Sequence, residues 1–273
     1  MRRAVLSTDR QVICEDGVRG GIRFVPEETP IALTYNGGTY AVMMATPADL
    51  EDFAVGFSLS EGIVQSREDI TSLDVVEVDQ GIDLRMWLTP SRADVISARR
   101  RQTAGPTGCG LCGIESIAEA MRPLASVSPG GSISRREVMT AMQSMAPLQK
   151  MNLETRAVHA AAFWTPSQGI ACLREDVGRH NALDKLGGAM TLAGLSARGG
   201  AILLTSRVSV EMVQKTAALG TPVMIAVSAP TALAVRVAEA AGITLIAIAR
   251  ADSFEVFTHT ARLTAEPSGS ASP

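Results

Sequence analysis

Residues 201–250 read AILLTSRVSVEMVQKTAALGTPVMIAVSAPTALAVRVAEAAGITLIAIAR. Three short apolar runs, AILL from Ala201, VMIAV from Val223 and ITLIAIA from Ile243, are separated by VEMVQKTAALG and TALAVRVAEAAG. The separating segments carry apolar residues at helical spacing and end on Gly220 and Gly242, a helix stop. The runs themselves are short and lack polar alternation, so they read as strands buried on both faces. Strands of that kind alternating with amphipathic helices build parallel βαβ units, which makes the fold class α/β. Upstream, VHAAAFW from Val158 and GIACLRE from Gly169 read as paired strands, and DVGRHNALDKLGGAM from Asp176 reads as a helix entered from a polar turn.

The N-terminal half reads as a smaller α+β lobe. IALTYNGG and TYAVMMATP form a hairpin, because Asn36-Gly37-Gly38 supplies the positive φ angles of a tight turn. A helix is expected next, capped by Thr46 with Pro47 at its first position and Asp49 in its first turn. Leu50, Phe53, Ala54 and Phe57 share one face of it, and Gly62 stops it. Leu73–Val78 and Ile82–Leu88 read as strands joined through Asp79-Gln80-Gly81. Ser91–Thr107, with Arg99, Arg100, Arg101 and Gly105-Pro106, reads as a linker or mobile loop, and GIESIAEAM as a short helix. Ser134 with Glu137 forms a capping box for a helix through Val138, Met142 and Met145. The expected organisation is an N-terminal lobe over 1–98, a cysteine loop with connecting helices over 99–150, a C-terminal α/β lobe over 151–263 and a disordered tail over 264–273.

Composition narrows the function classes. With 4% aromatic residues the chain lacks the faces on which single-stranded bases stack. A net charge of −3 gives no bulk attraction for a polyanion, so no nucleic-acid partner is expected and any anion must be held locally. No apolar run follows the basic residues of MRRAVLSTDRQVICEDG, and no stretch has the length of a membrane span. A cytoplasmic protein without membrane contact is expected.

Of the four cysteines, Cys14 and Cys172 are isolated: Cys14 lies in a polar N-terminal arm, and Cys172 in the apolar run GIACL reads as a small buried hydrophobe. Cys109 and Cys112 lie three apart in GPTGCGLCGIESI, where glycines leave the thiols exposed and a following helix start favours the thiolate. Three chemistries compete for this pair. Structural zinc needs four ligands, and Cys14, Cys172, His159, His180 and His259 provide no second matching spacing. A dithiol redox role lacks the preceding βαβ context. Sulfur carriage through a persulfide needs a reactive thiol, a swinging loop and an acceptor pocket.

Open α/β sheets place ligands beyond the carboxyl ends of their strands. There the sequence puts Thr205, Ser206 and Arg207 after AILL, Ser228 after VMIAV, and Arg250 with Asp252 after ITLIAIA. Hydroxyls and guanidinium groups at such junctions suit an anion, although Ser206 and Ser228 could equally cap helices. Asp176, Arg179, His180, Asn181, Asp184 and Lys185 crowd one helix entry, which makes His180 a functional candidate, whereas His159 reads as a core histidine. There is no dinucleotide fingerprint and no phosphate loop of the Walker type.

Six blocks together resemble the FdhD family over nearly the whole chain: EGI at Glu61–Ile63, CGLCG at Cys109–Gly113, DVGRHNALDK, SRVSVEMVQK, AVSAPTALAV and the closing FEVFTH. The resemblance implies a sulfurtransferase that takes sulfur from a cysteine desulfurase and passes it to the molybdenum cofactor in its bis-guanine-dinucleotide form, for use by formate dehydrogenase. It further implies that Cys109 carries the persulfide with Cys112 as its partner. The segment Phe254, Glu255, Val256, Phe257, Thr258 and His259 would bind the cofactor as cargo, no permanent metal or cofactor being needed. The fold would be similar to that of cytidine deaminases, with a mixed sheet, and the protein a homodimer. A zinc-dependent hydrolase of the deaminase type and a non-catalytic cofactor chaperone are the alternatives. No His-x-Glu or Cys-x-Glu element of the deaminases precedes the cysteine loop.

Overall fold

The computed structural model describes residues 2–94, 96, 124 and 126–264. The expected linker, the Cys109–Cys112 loop, the helix after it and the tail from residue 265 lie outside the described residues.

The polar N-terminal segment around Cys14 forms a hairpin. Strands β1 (Val5–Cys14) and β2 (Gly17–Pro26) pair antiparallel from Val5 opposite Pro26 to Cys14 opposite Gly17, as a sheet of their own. The signal was Asp16-Gly17, with Gly17 at φ +134°, flanked by too little apolar alternation to be read as strand. Cys14 at the tip is exposed, as its place in a polar arm implies. The arm meets the body where Arg23 donates to the Thr155 carbonyl at 2.9 Å.

Strands β3 (Thr29–Tyr35) and β4 (Gly38–Ala45) form the expected hairpin, its turn made by Asn36 at φ 48° and Gly37 at φ 77°. Helix α1 (Leu50–Ser60) follows, then the hairpin of β5 (Ile70–Val78) and β6 (Gly81–Leu88). The four strands order as β4-β3-β6-β5, with β3 and β6 parallel. Alternation turns Ile31, Leu33, Tyr35, Ile82, Leu84 and Met86 inward, where Phe53, Ala54 and Phe57 of α1 cover them. One expectation fails here. Thr46 does not cap α1, whose N-cap is Asp49 at φ 53°, because the Thr46 hydroxyl instead accepts the Val177 N–H at 3.1 Å.

After β7 (Ile133–Ser134), helix α2 (Arg135–Met145) begins on the expected capping box, Ser134 accepting from the Glu137 N–H and Glu137 from the Ser134 N–H. Helix α3 (Lys150–Thr155) has its first amides taken by Glu175, whose oxygens accept from Met151 and Asn152 at 2.8 Å. The main sheet then builds through β8 (His159–Thr165), β9 (Gly169–Asp176), α4 (Arg179–Leu192), β10 (Ala201–Leu204), α5 (Val210–Leu219), β11 (Val223–Ala226), α6 (Ala232–Ala241), β12 (Thr244–Ala247) and β13 (Glu255–Val256). A last strand, β14 (Leu263–Thr264), pairs with β7. The sheet order is β13-β12-β11-β10-β8-β9, parallel from β10 to β12 and antiparallel at β8 and β13, a mixed α/β sheet.

One face of this sheet packs Ile202, Leu204, Met224 and Leu245 against α4, α5 and α6 through Leu183, Leu186, Met212, Val213 and Ala238. The other face packs Leu203, Ile225 and Ile246 against Val138, Ala141 and Met145 of α2. The two sheets meet through α1 against α4. A Cβ on Gly56 would lie 1.7 Å from the Asp184 carbonyl oxygen, and one on Gly188 1.9 Å from that of Asp52, so the backbones touch where glycine alone allows it. Among the described residues no helix is long and apolar enough to cross a membrane.

Candidate functional site

Strands β9 and β10 flank β8, run parallel to each other and end at the same edge of the sheet, at Asp176 and Leu204. Helices α4 and α5 start from that edge, so the crowded sequence DVGRHNALDK faces the start of VEMVQK. The polar groups there form two buried networks and one set of groups without partners.

The first network is built on Asp176. Its Oδ1 accepts from the Gly178 N–H at 2.7 Å and from Asn181 at 2.9 Å; its Oδ2 accepts from Lys185 Nζ at 2.6 Å and from the Thr46 N–H at 3.0 Å. Lys185 also donates to the Thr46 carbonyl at 2.8 Å, and Asn181 to the Met44 carbonyl at 2.9 Å. Both charged side chains are fully buried. Every strong acceptor site on the carboxylate is therefore matched, which is the condition under which a buried ion pair is tolerated. The pair fixes the turn after β4 to the start of α4.

The second network is built on Lys215 in α5. It donates to both oxygens of Asp184, at 2.8 and 3.0 Å, to Ser60 at 2.9 Å and to Glu61 at 3.2 Å, and it lies 5.6 Å from the Phe57 ring centroid. Ser60 in turn donates to Asp184 at 2.6 Å. Burial disfavours the ammonium charge, but Asp184 and Glu61 outweigh it and hold the Lys215 pKa above the ordinary lysine value. The end of α1, the middle of α4 and the second turn of α5 are thereby tied at one point.

Beside this hub, Arg179 Nε, His180 Nε2, Ser209 Oγ and Glu211 Oε2 are withdrawn from solvent without a hydrogen-bond partner among the described residues. Burial, with the neighbouring charges of Arg179 and Lys215, pushes the His180 pKa down to about 4, so its imidazole is neutral at physiological pH. His180 thus emerges as a functional candidate, whereas Lys215, Glu211 and Ser209 were not singled out. Their signal was charge inside an otherwise apolar helix pattern. His159 is half-buried at the start of β8, and burial together with Arg179 lowers its pKa.

The expected anion-binding residues are spread along the edge. Ser206 is buried and donates to the Arg207 carbonyl at 3.0 Å, while Arg207 is exposed. Neither Ser206 nor Ser228 caps a helix, since Ser209 and Thr231 hold the N-cap positions of α5 and α6. Arg250 bends back onto the Val227 and Ala249 carbonyls at 2.5 and 3.0 Å. The segment Phe254–His259 forms the sheet border along β12, with Glu255 exposed and paired to Ala247, and Val256 paired to Ile246. It runs antiparallel, so Phe254 lies near the strand-end edge and His259 at the opposite edge. Phe254 and Phe257 pack against opposite core faces. Thr258 is buried between the Ile243 carbonyl and the Leu245 N–H, and His259 Nε2 lies 2.9 Å from the Glu239 carbonyl. Cys109 and Cys112 lie outside the described residues. Cys172 packs partly buried against the core, and burial pushes its thiol up to about 11.

The fold and this polar seam define a mixed α/β protein whose six-stranded sheet carries a polar strand-end edge and is joined to a second, four-stranded sheet. Residues 26–264 match the FdhD/NarQ family model, and the chain belongs to that family. It is 55% identical over 244 residues to a sulfur carrier protein FdhD of Agrobacterium fabrum, covering 89% of this chain and 90% of the relative. It is 48% identical to the protein of the same name from Cupriavidus necator, covering 89% and 85%. A crystal structure described as that of a formate dehydrogenase accessory protein from Desulfotalea psychrophila shares the fold, with a TM-score of 0.74 at 24% identity, over 96% of this chain and all of that one.

Proposed function

We propose that this chain is a sulfur carrier that acts as a sulfurtransferase through a persulfide. The observation that carries the reading is its near-full-length match to sulfur carrier proteins of the FdhD name, at 55% and 52% of the aligned positions. In the proposed step the Cys109 thiolate attacks the outer sulfur of a persulfide on a cysteine desulfurase; an S–S bond forms on Cys109 and the donor departs as its thiolate. Cys112 tunes or resolves that persulfide. Cys172 is unsuited to the work, since a thiol pushed up to about 11 carries little thiolate at neutral pH.

The sulfur's destination in this reading is the molybdenum cofactor in its bis-guanine-dinucleotide form, held as cargo for formate dehydrogenase. The strand-end edge with Ser206, Arg207, Ser228 and Arg250, and the border segment Phe254–His259, would hold the cargo. The reading extends to a cytoplasmic homodimer with a deaminase-like core. Incubation with a cysteine desulfurase and cysteine should add the mass of one sulfur atom to the wild-type chain and not to Cys109→Ala. An undiminished yield in Cys109→Ala overturns the assignment of that residue, and no added sulfur in wild type overturns the function.

A further inference from the structure

The hairpin of β1 and β2 is amphipathic. Residues paired across it share a face, so the pairs Ile13 with Val18, Asp9 with Ile22 and Ser7 with Phe24 place Ile13, Val18, Ile22 and Phe24 on one side. All four are exposed, and Ile13, at 80%, Ile22 and Val18 are the most exposed large hydrophobic residues among the described ones. The other side carries Arg10, Arg19 and Arg23, and it is the side held to the body, through Arg23 and the Thr155 carbonyl. A two-stranded sheet standing alone is marginal in water, and β1 and β2 pair with no third strand. The apolar side therefore calls for a cover.

The four-stranded sheet has an open side of the same kind. Helix α1 covers Ile31, Leu33, Ile82 and Leu84, and the alternate positions face away from it. There Val42, Met44 and Trp87 are exposed beside half-buried Ala32 and Val76 and the Asp83–Arg85 ion pair. Its strands of seven to nine residues are broad enough to seat two more strands.

Area and charge select the occupant. Ten residues per strand make the arm's apolar side about 34 Å long and, over two strands, about 10 Å wide, or about 340 Å². Two copies that each lay an arm on the other's open sheet bury about 1,400 Å² in all, within the roughly 1,200–2,000 Å² of specific interfaces. Two arms stacked on each other would bury only about half of that, short of what a stable dimer needs. Before Glu27 the sequence holds five arginines against three carboxylates in a chain of net charge −3, so the arm is basic and the body it would meet is acidic. We infer that the β1–β2 hairpin is an exchange arm: Ile13, Val18, Ile22 and Phe24 of one copy pack on Val42, Met44 and Trp87 of a second copy of this chain, reciprocally across a two-fold axis. The arm precedes residue 26, where the family match begins. The inference deepens the homodimer of the proposed function by naming its surface, and it is independent of the sulfur chemistry.

Two variants and their mixture test it, each altering residues exposed in the single chain. Analytical ultracentrifugation of the full chain at micromolar concentration should show a dimer. Ile13→Asp with Ile22→Asp and, separately, Val42→Asp with Trp87→Ser should each weaken dimerisation about 30-fold or more. Mixed, the two variants should form a heterodimer more tightly than either forms a homodimer, because that pairing keeps one intact arm on one intact sheet. Native mass spectrometry with one variant isotope-labelled reads this. A monomeric wild type overturns the inference and the homodimer together. A dimer that survives the arm variant overturns the inference alone, as does a dimer that the arm variant breaks and the sheet variant leaves intact. Persulfide loading, measured on the same proteins, reports on the sulfur-carrier function separately.

Discussion

Lys185→Met removes the ammonium from a site where Asp176 is fully buried, and its cost follows from what remains around that carboxylate. Oδ2 loses its 2.6 Å partner and keeps the Thr46 N–H at 3.0 Å; Oδ1 keeps the Gly178 N–H and Asn181. Breaking a buried pair by removing one partner costs roughly 3–5 kcal/mol, because the other charge is left uncompensated. Three surviving neutral donors place this case at the lower end, about 3 kcal/mol. The lost packing over Phe53, whose ring centroid lies 5.8 Å from Nζ, is largely restored by the methionine stem. Asp176→Asn alone strands the ammonium instead, at a similar cost. The double variant buries no charge and keeps a carbonyl for the Gly178 N–H, so it should fall short of the summed single costs by at least about 2 kcal/mol. Urea unfolding at neutral pH of all four proteins closes the cycle. A loss under about 1 kcal/mol in Lys185→Met, or additive single costs, refutes the reasoning.

Three further outcomes are expected. His180 has its folded pKa depressed to about 4 from 6.5, so between those values the unfolded chain binds a proton that the folded chain refuses. Stability is therefore full above pH ~6.5 and falls by about 3 kcal/mol as the pH drops through that window, and His180→Gln should flatten this slope in urea midpoints measured across it. Gly188→Ala drives a Cβ to 1.9 Å from the Asp52 carbonyl oxygen, a backbone atom that cannot swing aside, so α1 and α4 must separate. A loss of about 1–3 kcal/mol is expected, and a neutral effect on the melting curve would show that the helices do not cross there. Alkylation of the folded chain with iodoacetamide, followed by peptide mapping, should modify exposed Cys14 and spare Cys172 until the chain unfolds.

Much of the secondary structure was written locally. The AILL, VMIAV and ITLIAIA runs, the Ser134–Glu137 capping box and the Asn36-Gly37 turn each depend on neighbours within a few residues, and each stands as read. The sequence also marked the crowded entry to α4 and the candidacy of His180 by the density of polar types in one turn. Thr46 shows where such reading stops. Its cap position was chosen by local preference, yet its hydroxyl and carbonyl serve Val177 and Lys185 some 130 residues away. Lys215 and Glu211 looked like ordinary charges on an amphipathic helix. Only the packing of α5 beside α4 and the end of α1 gave one of them four bonds and left the other with an unpaired oxygen. The sequence by itself determined most strands, helices and turns outside the β1–β2 hairpin, because hydrophobic period and backbone preference act over a few residues. The tertiary structure alone decided strand order, the glycine contact of α1 with α4 and the pairing of buried charge, because each depends on which distant segments share a low-dielectric interior.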